Sequence, residues 1–186
     1  ITTTSDDRAN DQRFPDVAMT AEGTWCVTWQ SQEDEGWHAV WLEWRTQGWD
    51  VYRRVFDIDG ATVSSRSRVN STTAGNQMHP AIAAGDDRFV ITYASEVVGS
   101  NESEIHERYF LSNGANLAAT TVVHASPGNH LTHPDVAMSA SGEYVFTWQA
   151  DGLDGDRNGI YMAVHDNSYA LVLGPTQVNT TTAGNQ

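Results

Sequence analysis

Oxygen-bearing side chains are concentrated in one glycine-rich stretch, residues 151–159, which reads DGLDGDRNG. Calcium takes about six to eight oxygen ligands, and a loop bent by glycines brings several such side chains to one point. The spacing differs from that of an EF-hand loop, so backbone carbonyls or water would have to complete the coordination. The stretch therefore predicts either a calcium site or a solvent-exposed hairpin loop without a metal. The candidate ligands are Asp151, Asp154, Asp156 and Asn158.

Tryptophan is concentrated in a second stretch, an insertion at residues 30–50. Indole rings are large and flat, and they are enriched at protein interfaces and binding surfaces. The insertion therefore predicts a platform for a carbohydrate or protein ligand. The alternative is structural, with the rings packed against the rest of the chain or against a partner subunit. The tryptophans concerned are Trp37, Trp41, Trp44 and Trp49.

Neither the histidines nor the carboxylates form a known catalytic signature. His79 and His133 precede equivalent prolines, and this equivalence favours a structural role over metal ligation. Signatures of the nucleophile elbow, the zinc proteases and the phosphate-binding loop are missing from the sequence. No pair of carboxylates stands out for glycosidase chemistry, although such a pair is defined by its separation in space. No catalytic residue is therefore predicted, and the chain is expected not to be an enzyme.

Three copies of one repeat must position these side chains. The copies begin with FPDVAM, HPAIAA and HPDVAM, continue with a strand of the pattern aromatic-X-X-Thr-aromatic, and end with VNSTTAGNQ, VVHASPGNH and VNTTTAGNQ. Repeats of this size are typical of solenoids, propellers and arrays. The predicted units are residues 14–78, 79–132 and 133–186, with the Trp-rich insertion in the first. Residues 1–13 are expected to form the closing strand of a preceding or displaced unit.

Each copy offers four strand candidates separated by turn residues, and no helix longer than one turn is expected. In the third copy the expected strands are 135–139, 144–149, 159–165 and 176–181. The second strand is apolar on both faces, as expected of a sheet packed between two others. The pattern therefore predicts an all-β fold, a β-propeller-like array of about three four-stranded blades. Closed propellers have about four to eight blades, so this propeller is either partial or completed by oligomerisation.

The chain is strongly acidic, with 24 Asp and Glu against 10 Lys and Arg and a formal net charge of −14. Such a surface repels phosphate groups, so no nucleic-acid partner is expected. No apolar run is long enough to span a bilayer. The single cysteine, Cys26, excludes an intrachain disulfide and is expected to be a buried apolar residue. Because the sequence starts at Ile1 and stops within a repeat, it is expected to be a processed or excised piece.

The repeat resembles the tandem repeats of very large secreted bacterial proteins, the adhesin-like and calcium-associated surface proteins. The resemblance rests on HPDVAM, GEYVFTWQ, DGLDGDRNGIY and VNTTTAGNQ in the third copy. It is best over 134–186, good over 14–28 and 51–77, and loose in the second copy. It implies an extracellular, cell-surface β-propeller-like array with a scaffolding, adhesive or ligand-binding role, and it supplies no catalytic residues.

Three functions are compatible with these features. The main hypothesis is a non-enzymatic extracellular binding or structural module, stabilised by Ca2+ if the site at residues 151–158 forms. The second is a self-assembling structural subunit whose blades complete one another in a ring or fibre. The third is a propeller fragment of a carbohydrate-active enzyme. The mass in solution separates the first two hypotheses, and an activity screen tests the third.

Overall fold

The structure is a computed structural model that describes residues 11–32 and 48–185. These residues contain twelve β-strands and no helix. Consequently no helix in these residues could cross a membrane. The strands form three antiparallel sheets of four consecutive strands each, called blades 1, 2 and 3. Their bounds are β1 (Gln12–Met19), β2 (Trp25–Gln32), β3 (Trp49–Phe56), β4 (Thr62–Arg68), β5 (Gln77–Ala84), β6 (Arg88–Glu96), β7 (Ser103–Leu111), β8 (Thr121–His124), β9 (Leu131–Met138), β10 (Tyr144–Asp151), β11 (Asn158–His165) and β12 (Leu171–Gln177).

Glycines permit the short turns between the first and second strands of blades 1 and 3. Gly23 and Gly142 occupy equivalent turn positions with φ of 88° and 89°. The Gly23 amide donates to the Thr20 carbonyl at 3.0 Å, and the Gly142 amide donates to the Ser139 carbonyl at 3.1 Å. Residues with a side chain rarely adopt φ in this range, so the turn favours glycine. These turns help to set the register in which the first two strands pair.

Apolar side chains fill the two spaces between blades. Between blades 2 and 3 the core includes Tyr109, Phe146 and Trp148, each at most 1% exposed. Between blades 1 and 2 it includes Cys26 and Phe89, both fully buried. Burial raises the pKa of Cys26 to about 12, so its thiol stays protonated at neutral pH. Because blade 2 is covered on both faces, an apolar residue on either face of its second strand contributes to a core.

The first strands β1, β5 and β9 are in contact from blade to blade, and each is irregular at its proline. The pairing of β1 with β2 shifts register between Arg13 and Asp16, and that of β5 with β6 shifts between Met78 and Ala81. The pairing of β9 with β10 shifts at the corresponding place. Such a bulge bends the strand and redirects a side chain. The residue before each proline therefore lies outside the regular ladder.

A carboxylate joins blades 1 and 2 just after the bulge. Asp16 Oδ2 accepts a hydrogen bond from the Ile82 amide at 2.9 Å, and Asp16 Oδ1 accepts one from the Val17 amide at 2.8 Å. Asp135 has the equivalent position in blade 3, where it is exposed and its Oδ1 accepts from the Val136 amide at 2.8 Å. Blade 3 therefore presents the carboxylate that blade 1 uses to bind its neighbour.

The repeated closing segment forms a loop that an asparagine attaches to the third strand. Asn70 Oδ1 accepts a hydrogen bond from the Val51 amide at 2.9 Å, and Asn179 Oδ1 accepts one from the Ile160 amide at 2.8 Å. Asn70 Nδ2 also donates to the Thr72 carbonyl at 2.6 Å. The side chain thus replaces a ladder partner for the strand amide. This role accounts for the asparagine that VNSTTAGNQ and VNTTTAGNQ share.

The predicted array of three four-stranded blades is confirmed, with differences at the strand ends. In blade 3 the expected strands overlap the observed ones, but the fourth, 176–181, begins five residues late and shares only positions 176 and 177 with β12, which spans Leu171–Gln177. Residues 178–181 belong instead to the closing loop. Of the segment 1–13, residues 1–10 lie outside the described residues, and the last two positions begin β1.

Candidate functional site

Each blade presents one aromatic side chain at the bulge of its first strand, immediately before the proline. These residues are Phe14, His79 and His133, with φ of 52°, 53° and 49°, and are called the axial array. Positive φ in a residue with a side chain costs about 1–3 kcal/mol, and such residues cluster at functional sites. Because the same conformation recurs in all three blades, it is a property of the repeat.

The rings of the axial array are in contact across the blades. The Phe14 and His79 ring centroids are 5.0 Å apart at an interplanar angle of 77°, which is an edge-to-face contact. The His79 and His133 rings are stacked, with centroids 4.1 Å apart and planes inclined by 17°. Phe14 is 50% exposed and His133 is also exposed, while His79 lies half-buried between them. The array is therefore a continuous aromatic surface open to solvent.

His79 is uncharged at neutral pH. Burial, and then the neighbouring His133 and His130, lower the pKa of His79 from 6.5 to about 4. The neutral ring stacks on His133 without repulsion between like charges. His79 Nδ1 is buried and has no hydrogen-bond partner among the described residues.

A buried side chain of blade 1 binds the backbone of His79 in its unusual conformation. The His79 amide donates to Gln30 Oε1 at 2.9 Å, and Gln30 is buried in β2 of blade 1 with 2% exposure. A residue before proline avoids the right-handed helical region, which restricts His79 further. The position of one ring of the array thus depends on the packing of the neighbouring blade.

The carboxylates of the glycine-rich 151–159 loop bind the closing segment of their own blade. Asp154 Oδ2 accepts a hydrogen bond from Asn179 Nδ2 at 3.3 Å. Asp156 Oδ2 accepts one from the Gly184 amide at 2.8 Å. These contacts give both carboxylates a structural role that sequence analysis does not anticipate.

Calcium binding by this loop stays a prediction. Asp151 and Asn158 are paired at the ends of β10 and β11, on either side of the loop. Within residues 11–32 and 48–185, no three His, Cys, Asp or Glu side chains form a group that could hold a metal ion. A calcium site would therefore depend on backbone and amide oxygens beside the carboxylates.

Thermal unfolding tests the calcium prediction. If the loop binds calcium, the unfolding midpoint should be higher with excess calcium than with chelator, because the ion binds only the folded chain. Asp154→Asn should abolish this difference. Asp59→Asn, which changes an exposed carboxylate in the turn between β3 and β4, should preserve it. Equal midpoints of the unmodified protein under both conditions would leave the loop with its structural role alone.

The predicted tryptophan platform is described only at its last member. Trp49 begins β3; its amide donates to Asn76 Oδ1 at 2.9 Å, and the Arg13 guanidinium lies 5.3 Å from its ring centroid. Trp49 therefore attaches the start of β3 to the closing segment of blade 1. A ligand-binding role for the platform stays a prediction. The other members lie outside the described residues: Trp37, Trp41 and Trp44.

The axial array is the site that sequence analysis misses. The repeat pattern places His79 and His133 before equivalent prolines and assigns them a structural role, without including Phe14. The available signal was the recurrence of an aromatic or imidazole ring at that position. The positive φ and the contact between rings from different blades arise only when the blades pack together.

No protein-family model matches the chain, and no curated protein sequence is significantly similar to it. Its structure is similar to that of an N-acetylgalactosamine deacetylase from F. plautii in complex with blood group B trisaccharide, with a TM-score of 0.58, 14% identity, and coverage of 92% of this chain and 52% of that one. It is also similar to an endo-arabinase from Bacteroides thetaiotaomicron, with a TM-score of 0.56, 13% identity, and coverage of 97% of this chain and 66% of that one. For a Hadza microbial sialidase the TM-score is 0.62 and the identity 13%, with coverage of 90% of this chain and 38% of that one. The chain thus covers less than two thirds of each of these proteins.

These comparisons correct the sequence-based assignment. The prediction that the chain is not an enzyme is wrong, because the proteins of similar structure are named as a deacetylase, an arabinase and a sialidase. The similarity also gives no support to the adhesin-like, calcium-associated repeat family, and at 13% to 14% identity it concerns the fold. The chain is an all-β protein of the β-propeller fold, with three four-stranded blades in its described part.

Proposed function

We propose that the chain is part of a carbohydrate-active propeller enzyme in which the axial array contacts the sugar. The observation that carries this proposal is the solvent-open contact of Phe14, His79 and His133, contributed by three blades at positive φ. The names of the structurally similar proteins support a carbohydrate substrate. This function was the third sequence-based hypothesis, and it replaces the non-enzymatic one.

The axial array has the chemical groups that a sugar ring requires. Aromatic rings offer flat apolar faces for the C–H groups of a sugar, and polar groups in a site fix its orientation. The neutral His79 contributes ring surface between Phe14 and His133, whereas its Nδ1 is buried and closed to a ligand. His133 is exposed and presents its ring directly to solvent.

A neutral glycan is favoured over an anionic one. The chain carries a formal net charge of −14, which disfavours the approach of anions. Arg13, next to Phe14, pairs with Asp11 through its guanidinium.

The proposal includes an extracellular location, as implied by the resemblance of the repeats to those of secreted proteins.

Glycan binding and hydrolysis test the axial site. Neutral polysaccharides and aryl glycosides would be screened with the unmodified protein and with the double variant Phe14→Ala, His133→Ala. Each aromatic contact contributes about 0.5–1.5 kcal/mol to binding, so loss of both should weaken binding by the double variant at least about fivefold. Val98→Ala, which changes an apolar side chain that is 67% exposed in a turn, is the control. Unchanged binding and hydrolysis in the double variant would place the sugar elsewhere.

Self-association is a second candidate function, favoured by the exposed faces of blades 1 and 3. Val145 in blade 3 is 37% exposed, whereas Cys26 and Val90, at the equivalent positions, are fully buried by the next blade. At the opposite end Val17 in blade 1 is 59% exposed, whereas its equivalent Ile82 is 6% exposed. The two uncovered faces therefore match faces that pair elsewhere in the molecule. We infer that blade 3 of one copy packs on blade 1 of another.

Light scattering tests this association. Two chains per particle would indicate a closed ring, and larger particles would indicate a fibre. Val145→Glu should give single chains, because it introduces a charge into the centre of the interface. Val172→Glu is the control, on the outermost strand β12 where the side chain is 64% exposed, and it should associate as the unmodified protein does. Single chains of the unmodified protein at all concentrations would exclude a second copy as the partner of these faces.

A further inference from the structure

A cleft of about 360 Å³ lies between blades 2 and 3, lined in part by their outermost strands β8 and β12. Its volume falls within the range of small-molecule sites, about 300–1,000 Å³. Its walls are mainly apolar and include Ala118, Val122, Tyr169 and Leu171. The axial array is on the first strands of the blades, so the cleft is a separate feature.

A buried carboxylate forms part of the cleft lining. Glu107 is 2% exposed; its Oε2 accepts a hydrogen bond from the Tyr109 hydroxyl at 2.6 Å, and its Oε1 accepts one from the Thr121 hydroxyl at 2.8 Å. Burial and the Glu107 charge raise the pKa of Tyr109, which keeps its proton and remains a donor. Both hydroxyl donors are neutral, and a carboxylate can accept about four hydrogen bonds. Buried charges are normally paired, so Glu107 favours a cationic partner, and His165 supplies one only when its imidazole is protonated.

A second buried polar atom faces Glu107 from blade 3. His165 is 6% exposed, and its Nδ1 lies 3.5 Å from Glu107 Oε1. His165 Nδ1 has no hydrogen-bond partner among the described residues. Buried polar atoms are rarely left unpaired, and an unpaired one points to a missing partner. The cleft therefore combines a carboxylate that can accept further hydrogen bonds with an imidazole nitrogen that lies within ion-pair distance of it but makes no hydrogen bond.

The interface between blades 1 and 2 has the opposite charge at the same position. Arg53 in β3 is equivalent to Glu107 in β7 and is 3% exposed. Arg53 Nη2 donates to the Gly114 carbonyl at 2.5 Å, and its guanidinium lies 4.0 Å from the Phe110 ring centroid. This interface thus supplies its own cation, which reaches across to blade 2. Between blades 2 and 3 the position carries an anion beside an open cleft.

We propose that the cleft between blades 2 and 3 binds a small organic cation, an ammonium or guanidinium group on a short apolar body. The head group donates hydrogen bonds to Glu107 and to His165 Nδ1. The apolar body lies against Val122 and Leu171, and the Tyr109 and Tyr169 rings, 4.3 Å apart, offer aromatic surface to the positive charge. This site is independent of the proposed glycan site.

Calorimetric titration with benzylammonium and benzylguanidinium chloride tests the proposal, with benzyl alcohol as the uncharged ligand. Both cations should bind saturably, and benzyl alcohol should bind at least about tenfold more weakly because it lacks the charge-assisted hydrogen bonds. Glu107→Gln should weaken cation binding by a similar factor and leave benzyl alcohol unaffected. Glu104→Gln is the matched control, because Glu104 is a half-buried residue of the same strand whose carboxylate contacts His106. This variant should bind all three ligands as the unmodified protein does.

A steric variant tests the location of the ligand. Ala119→Leu narrows the cleft without changing a charge and should weaken binding of both cations. Thermal unfolding of each variant verifies that it is folded before titration. No saturable binding by the unmodified protein, equal affinity for benzyl alcohol, or insensitivity to both Glu107→Gln and Ala119→Leu would overturn the proposal.

Discussion

Replacing Asn70 with alanine is expected to lower the free energy of unfolding by about 3 kcal/mol. Asn70 is 2% exposed, and its Oδ1 is the acceptor for the Val51 amide. Its Nδ2 donates to the Thr72 carbonyl at 2.6 Å and to Gln77 Oε1 at 3.1 Å, and also contacts Asp50. Alanine would leave the buried Val51 amide without this acceptor and the buried Gln77 Oε1 without this donor. Urea denaturation followed by tryptophan fluorescence measures the loss.

Blade 3 provides the matched comparison, because Asn179 has the same role in a more exposed place. Asn179→Ala should lower the free energy of unfolding by about 1 kcal/mol, since water can replace the hydrogen bonds of Asn179. Asn70→Asp should be at least as destabilising as Asn70→Ala at neutral pH, because it places a second carboxylate beside Asp50. Equal losses for Asn70→Ala and Asn179→Ala would contradict the explanation from burial.

Acidification from pH 7 to pH 5 is expected to destabilise the protein by about 1 kcal/mol through His79. The pKa of His79 is about 4 in the folded chain and 6.5 as a free side chain, so the unfolded chain binds the proton more tightly. Stability is therefore lost as the pH falls through the window between these two values. The expected loss is smaller than the full shift implies, because His79 is only half-buried and solvent screens its charge. Urea denaturation at both pH values measures it.

His79→Asn separates this contribution from the rest of the chain. Asparagine does not titrate and tolerates positive φ, so the variant should show a smaller loss of stability between pH 7 and pH 5. Some pH dependence should remain, because burial also lowers the pKa of His124. The same loss in the variant and the unmodified protein would show that His79 does not carry the effect.

The blade architecture is predictable from sequence because each repeat encodes a complete sheet. The second strands contain apolar residues at successive positions, such as Phe89 and Val90, and both are buried because blade 2 is covered on both faces. The fourth strand is harder to place because Gly174 and Pro175 interrupt its apolar pattern. The β-branched run after Val178 resembles a strand, yet it forms a loop because Asn179 binds the strand amide through its side chain.

The site is less predictable because its members have no local signature. His79 and His133 are far apart in sequence, and their stacking depends on the packing of β5 against β9. The conformation of His79 depends further on Gln30 from another blade. A search for contiguous catalytic motifs therefore does not detect such a group of residues, and the prediction that the chain is not an enzyme rested on that search.

The position before each proline also has an evolutionary consequence. Duplication of a blade would add one side chain to the axial array, and recombination between blades would exchange one side chain of the array for another. The apolar residues that hold the blades together occupy other positions and would be inherited unchanged. Phe14 and His79 illustrate this freedom, since an aromatic hydrocarbon and an imidazole occupy the same backbone conformation in adjacent blades. For the proposed sugar site, the fold thus permits a combinatorial change of ligand preference, one residue per blade, without redesign of its core.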